Sequence, residues 1–231
     1  MSRDLTQNSV DLWVISLPAI GAAQLSNLES YLSYKELVEV KSFSSKRLKD
    51  NAVASKGCLR LILSKYVRKA PALIAIDKNE YGKPHVLDSN IKFNVSHSGK
   101  YILIAVARDI EVGVDIEQIS EDFVFADIVN AFFTNTEKNA INSYALTSRL
   151  TFYRAWTRKE ACLKSVGMGL SIGLQDVEVT CLSEDPAKVV KFKNYDRDWQ
   201  LFDIDIDPQH CVALALQARE PYAVNKIQFK F

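Results

Sequence analysis

Asp115 and Glu117, in the run Gly113-Val114-Asp115-Ile116-Glu117, are two acids whose spacing could do chemistry. In an extended strand, residues two apart point the same way, so both carboxylates are aimed into one pocket. A third acid lies in the stretch Phe152 to Gly169, where Phe152, Trp156, Glu160 and Lys164 recur every fourth residue and share one helical ridge. Three hard oxygen donors suit Mg²⁺, which takes few protein carboxylates and leaves its other positions to water and substrate phosphate. Taken alone, the helix reads as amphipathic packing with a Glu160 to Lys164 surface ion pair. The paired acids upstream turn the reading toward a metal centre.

Rival constellations fare worse. Asp203-x-Asp205-x-Asp207 begins like a calcium loop, but Pro208 stands where the turn needs glycine and Leu214 where the bidentate glutamate belongs. It reads as the polar face of an exposed or edge strand, and Asp196 and Asp198 read as a solvated turn. Ser96, His97 and Asp115 could suggest a hydrolase triad, yet adjacent Ser96 and His97 diverge on a strand and no G-x-S-x-G elbow is present. His97 sits at a strand end, where the default expectation is an exposed imidazole. There is no Walker loop and no Rossmann glycine pattern.

The elements that must position these residues follow from periodicity. Leu12–Leu17 reads as a strand closed by Pro18, and Leu25–Val40 as a helix. A long helix follows, capped by Ser44 or Ser45, with Leu48, Ala52, Leu59, Ile62, Leu63 and Tyr66 as its apolar stripe and Pro71 beyond its end. Its early basic residues, Lys46, Arg47 and Lys49, form a solvated face or an anion site. Leu73–Ile76 is a short strand, and Asn79 to Pro84 has turn chemistry. Phe93–Ser96 and Tyr101–Arg108 form a hairpin around Ser98-Gly99-Lys100, and Asp109 to Glu111 links it to the acidic strand. Phe125–Phe133 is helical, and Thr134-x-x-Glu137 is a capping-box signature for a helix to about Ala145. Gly167 and Gly169 stop the Phe152 helix. Strands are expected at Val177–Cys181, Val189–Phe192, Trp199–Ile206, Cys211–Gln217 and Asn225–Phe231.

This is an α+β chain. Its 231 residues, 48% of them hydrophobic, fill one large domain or two small ones. A net charge of +1 gives no global case for nucleic acid, so any anion site must be local. Cys58, Cys162, Cys181 and Cys211 lie far apart without a Cys-x-x-Cys pair, which argues against zinc and disulfides and for buried thiols in a reducing compartment. With no leader pattern and no run of 18 apolar residues, the expectation is a soluble cytoplasmic protein.

Taken in order, G-K-P (82–84), F-N-V-S-H-S-G (93–99), V-G-V-D-I-E (112–117), F-F-T-x-x-E (132–137) and W-T-R-K-E-A-C-L-K (156–164) resemble the surfactin-type (Sfp-like) 4'-phosphopantetheinyl transferases. The resemblance implies two similar α/β halves related by a pseudo-twofold, each a small, mostly antiparallel sheet packed on a long helix. Residues 1–109 would carry the coenzyme A phosphate-binding loops, and residues 110–231 the metal-binding carboxylates and the catalytic helix. It also implies Mg²⁺-dependent transfer of the phosphopantetheine arm of coenzyme A to a serine of an acyl or peptidyl carrier protein, releasing adenosine 3',5'-bisphosphate. Asp115, Glu117 and Glu160 would hold the metal. Lys83, with Pro84, Ser96 and His97, would bind coenzyme A, Lys83 and His97 receiving the 3'-phosphate. Lys164 would neutralise the pyrophosphate or steer the hydroxyl, and Glu160 would serve as the base, directly or through water. His97 would belong to the catalytic set with Glu160 and Lys164. The chain departs from the family at the long helix, where Asp50 or Asn51 replaces an arginine, leaving Lys46, Arg47 or Lys49 to complete the phosphate pocket. A complete cleft within one chain implies a monomer, with the carrier expected on the segment from Glu121 to Thr151. The alternative is a non-catalytic module that binds coenzyme A or a carrier protein.

Overall fold

The computed structural model describes residues 3–231, apart from the Leu170 side chain. Its first strand, β1 (Ser9–Ser16), is buried on both faces: Trp13 and Ile15 enter one core, and Val10, Leu12 and Val14 enter another. Where one helix was expected over Leu25–Val40 there are two, α1 (Ala22–Glu29) and α2 (Tyr34–Ser42). Ser33 separates them with a capping box, its N–H donating to Glu36 Oε2 at 2.7 Å and its hydroxyl accepting from the Glu36 N–H at 3.3 Å. Next comes α3 (Lys46–Val67), capped by the Ser45 hydroxyl and ended by Arg68 in the left-handed region at φ 54°. Leu48, expected on its buried stripe, lies in the first turn and is 48% exposed, on the wall of a cavity that keeps it from close packing against the sheet.

A 3-10 turn at Pro71–Leu73 displaces the strand expected at Leu73–Ile76, which begins instead at β2 (Ile76–Lys78) and pairs with β3 (Pro84–Val86). The hairpin forms as expected, from β4 (Ile91–Ser98) and β5 (Tyr101–Arg108). Beyond it lie β6 (Val112–Gln118), α4 (Ala126–Phe132), α5 (Asn135–Asn142) and α6 (Ser148–Val166). The last strands are β7 (Val177–Val179), β8 (Val189–Phe192), β9 (Gln200–Asp203), β10 (His210–Leu216) and β11 (Ala223–Gln228).

Two sheets carry the fold. One has the order β11-β1-β5-β4 and the other β6-β10-β9, with β2-β3 and β7-β8 as small ribbons. The strands alternate between cores as the period of two requires. Ile102, Ile104 and Val106 of β5 pack under α3, while Leu103, Ala105 and Ala107 face the second sheet. On β10, Val212, Leu214 and Leu216 join that inter-sheet core, and Cys211, Ala213 and Ala215 pack under α6. The layers therefore run α3, first sheet, second sheet, α6, which makes this an α+β fold of two halves, each a small, mostly antiparallel sheet on a long helix. The final strand crosses back: β11 pairs with β1 in parallel, Ser9 opposite Ala223. Residues 223–228 thus complete the sheet of the first half.

Beneath α6 the second half is pinned by an ion pair between two fully buried side chains. Lys159 Nζ donates to Glu137 Oε2 at 2.6 Å, and Glu137 Oε1 accepts from the Val179 N–H at 3.0 Å. Burial lowers the Lys159 pKa, and Glu137 pulls it back up. Asp203 lies on the edge strand β9, yet it is bound rather than merely solvated, because Arg158 reaches both its oxygens at 2.9 and 2.6 Å. All four cysteines are free and buried.

Candidate active site

Strand β6 has two unlike faces. Val112, Val114 and Ile116 enter the inter-sheet core, so Gly113, Asp115 and Glu117 face the other way, toward α6. Gly113 allows the helix to come close: a Cβ there would sit 2.0 Å from the Ala161 carbonyl oxygen and 2.4 Å from the Ser165 nitrogen. That approach lays the last turns of α6 against the acids. Lys164 Nζ donates to Asp115 Oδ1 at 2.6 Å and to Ser96 Oγ at 3.0 Å, and the Ser96 hydroxyl donates to the same Asp115 oxygen at 3.0 Å. The ion pair therefore joins Lys164 to Asp115, rather than to Glu160 along the helix. Phe152 and Trp156 are packing residues on the same ridge, Phe152 stacking on Phe125 with centroids 4.6 Å apart.

The electrostatics show an excess of acid. Burial raises the Asp115 carboxyl against the pull of Lys164 and Ser96. Glu117 is pushed up to about 6, by burial first and then by the Asp115 charge, with Glu160 adding a smaller push. Glu160 is raised by burial and by Asp115, with Lys164 opposing. One ammonium thus serves three mutually repelling carboxylates. Asp115 Oδ2 is buried with no hydrogen-bond partner among the described residues. Among the described residues no three Asp, Glu, His or Cys side chains are already drawn together as a metal site. The donors nevertheless fit a hard divalent cation: they are all carboxylates, one oxygen is orphaned, and the local charge is uncompensated.

Beside this cluster, reached by Glu160 and Lys164, lies a largely apolar cavity of about 590 Å³ lined also by Tyr81, Lys83, Pro84 and Trp156. Lys83 turns its ammonium away to the seam, where it bonds Glu111 Oε2 at 2.7 Å and the Ser165 carbonyl at 2.8 Å. His97 is exposed on the opposite face of β4 from Ser96 and lines a different cavity of about 350 Å³ with Asn51, Ser55 and Lys56. The structure therefore brings Asp115, Glu117, Glu160, Lys164 and Ser96 together, keeps Lys83 on the wall of the same cavity with its ammonium given to Glu111, and leaves His97 on another cavity. Lys46 forms an exposed pair with Asp50 at 2.5 Å.

Residues 111–215 match the 4'-phosphopantetheinyl transferase superfamily, and residues 21–109 match the N-terminal 4'-phosphopantetheinyl transferase family. The 4'-phosphopantetheinyl transferase HetI of Nostoc sp. is 30% identical over 214 residues, which cover 90% of this chain and 87% of that protein. The chain belongs to the 4'-phosphopantetheinyl transferase family. Another relative, the 4'-phosphopantetheinyl transferase gsp of Aneurinibacillus migulanus, is 41% identical over 43% of this chain and 40% of its own length. Among solved structures, a holo-(acyl-carrier-protein) synthase from Bacillus anthracis in complex with CoA (3',5'-ADP) aligns with a TM-score of 0.39 at 20% identity, over 46% of this chain and 95% of that one.

The transferase contains neighbours of the site that pattern reading overlooked. Lys56 is one, since it reads as one more charge on a basic helix and only the fold sets it beside His97. Glu111 is another, the acid that holds both Lys83 and Lys92. Asn94 and Ser98 had a signal in the sequence: Asn94, Ser96 and Ser98 place three polar side chains on one strand face, where a core-facing strand would carry apolar ones.

Proposed function

We propose that this enzyme is a two-half, Sfp-like transferase that moves the 4'-phosphopantetheine arm of coenzyme A onto a serine of an acyl or peptidyl carrier protein in a Mg²⁺-dependent reaction. The observation that carries this reading is the meeting of Lys164, Asp115 and Ser96 near Glu117 and Glu160 at the seam between the halves, with Lys164 and Glu160 on the wall of a cavity. A bound Mg²⁺, held by Asp115, Glu117 and Glu160, would offset the negative charge that phosphoryl transfer spreads over oxygens. Lys164 adds a second cation where that charge develops.

The reaction needs the serine hydroxyl to lose its proton as its oxygen attacks the phosphorus next to the pantetheine, with adenosine 3',5'-bisphosphate leaving. In this reading Glu160 accepts that proton. It has no hydrogen-bond partner among the described residues, and because a cation at its carboxylate would lower its basicity, a water bound there would relay the proton to it. His97 and Lys56, which share a cavity, receive the 3'-phosphate in this reading, while Lys83 and Pro84 wall the coenzyme cavity. The carrier meets the exposed apolar surface of Phe123, Val124, Phe132, Tyr144 and Leu146, within the segment from Glu121 to Thr151. In this reading the enzyme acts as a cytoplasmic monomer; among the described residues no helix is long and apolar enough to cross a membrane.

Incubation with coenzyme A, Mg²⁺ and a panel of apo carrier proteins, read by intact mass, tests the reading. At least one carrier should gain a phosphopantetheine. Tight coenzyme A binding with no carrier modified would instead establish the non-catalytic module.

A further inference from the structure

Strands β4 and β6 terminate two different sheets, yet they run side by side through the seam, and no backbone ladder joins them. In a strand, alternate N–H groups point to opposite edges, so one set on β6 serves β10 and the other set faces β4. That second set would be orphaned at a buried edge. Side chains of β4 take it up instead. Asn94 Oδ1 accepts from the Val114 N–H at 2.9 Å, Ser96 Oγ from Ile116 at 3.4 Å, and Ser98 Oγ from Gln118 at 2.9 Å. Each donor lies 20 residues beyond its acceptor, so the clasp holds a fixed parallel register.

The two serines do more than close an edge. A hydroxyl that accepts a backbone N–H directs its own proton elsewhere, and each proton finds an acid of β6. Ser96 donates to Asp115 Oδ1 at 3.0 Å, and Ser98 donates to Glu117 Oε2 at 3.2 Å. Asp115 is also held by Lys164, whereas Ser98 is the hydrogen-bond donor that holds Glu117.

We propose that Ser98 is a positioning residue for metal binding, fixing the Glu117 carboxylate in register with Asp115 from the neighbouring sheet. This rests on the reading that the carboxylates share a divalent cation. Ser98 itself does not contact the ion. Groups that orient a metal ligand typically change affinity by about 10–100-fold when removed. Ser98→Ala should therefore raise the Kd for Mg²⁺ about tenfold or more while leaving turnover at saturating Mg²⁺ within about twofold, because the ligands themselves remain. Ser98→Thr keeps the hydroxyl and should return the Kd to near the wild-type value. The Gln118 N–H bond is at the exposed end of the clasp, so water can replace it in Ser98→Ala and the fold should hold.

The experiment is a calorimetric titration of MgCl₂ into the coenzyme-free wild type, Ser98→Ala and Ser98→Thr, with thermal melts of each. Weakened binding in Ser98→Ala with recovery in Ser98→Thr supports the role. Equal Mg²⁺ affinity in wild type and Ser98→Ala overturns it while leaving the metal site intact. A wild type that takes up no Mg²⁺ and no Mn²⁺ overturns the shared-cation reading and this role with it. Should Ser98→Ala melt before it can be titrated, Ser98→Val is compared with its isostere Ser98→Thr, which differs by the hydroxyl alone, and equal affinity in the two also overturns the role.

Discussion

Replacing Gly113 with alanine should damage stability and rate together, and the structure sets both magnitudes. The new Cβ would lie 2.0 Å from the Ala161 carbonyl oxygen and 2.4 Å from the Ser165 nitrogen, both backbone atoms of α6 with no rotamer to yield. For the oxygen contact to reach an ordinary 3.4 Å, the helix must retreat by about 1.4 Å. Overpacking of this kind costs about 1–3 kcal/mol. At about 2–4 °C per kcal/mol for a chain of this size, Tm should fall by about 2–12 °C. Lys164 and Glu160 flank the displaced contacts, and a misplacement of about 1 Å costs on the order of 100-fold in rate. Differential scanning calorimetry and a carrier-loading assay at saturating coenzyme A read the two effects. Gly173→Ala is the control, because its nearest neighbour, a side-chain oxygen of Asp176, is already 3.4 Å away. That change should stay within about 0.5 kcal/mol. If Gly113→Ala melts and turns over like wild type, the close approach of α6 to β6 does not set the active site.

Other perturbations read separate parts of the account. Lys56→Ala should lower kcat/KM for coenzyme A by about 10–100-fold, the worth of one charged hydrogen bond, and leave dephospho-coenzyme A unaffected; equal losses on both would remove Lys56 from the 3'-phosphate. Glu137→Ala strands the ammonium of Lys159 in a fully buried site and should cost about 3–5 kcal/mol in urea unfolding, against no more than about 1 kcal/mol if the pair is dispensable. Acid stability should depend on Glu36. Burial raises that carboxyl, but Arg60 and Ser33 outweigh it and hold it below its ordinary value of about 4.5. The unfolded chain therefore takes up the proton first as pH falls, so the stabilisation is complete above about pH 4.5 and is lost below it. Glu36→Gln should flatten the decline of Tm below pH 4.5, and an unchanged slope would refute the assignment.

Much of this was visible in the chain because its signals are local. The hairpin of β4 and β5 follows from alternation around Gly99, and the strand spacing of Asp115 and Glu117 already pointed both acids to one side. The fourfold spacing from Phe152 to Lys164 gave the ridge of α6. Ser33 with Glu36 carried a readable capping signature inside a stretch whose apolar pattern suggested one continuous helix. Partners chosen across the fold left no such trace. Nothing local tells that β11 returns to pair with β1, that Lys83 gives its charge to Glu111, or that Arg158 claims Asp203. His97 and Lys83 look like neighbours in a motif list, but the alternation of β4 turns His97 toward α3, away from Ser96.

The central claim is that carboxylates from β6 and α6 converge on one divalent ion, and Mn²⁺-soaked crystals test it most directly. The account predicts a single anomalous peak bonded to oxygens of Asp115, Glu117 and Glu160, lost in Asp115→Asn. A peak elsewhere, or no peak beside these residues at saturating Mn²⁺, would contradict it.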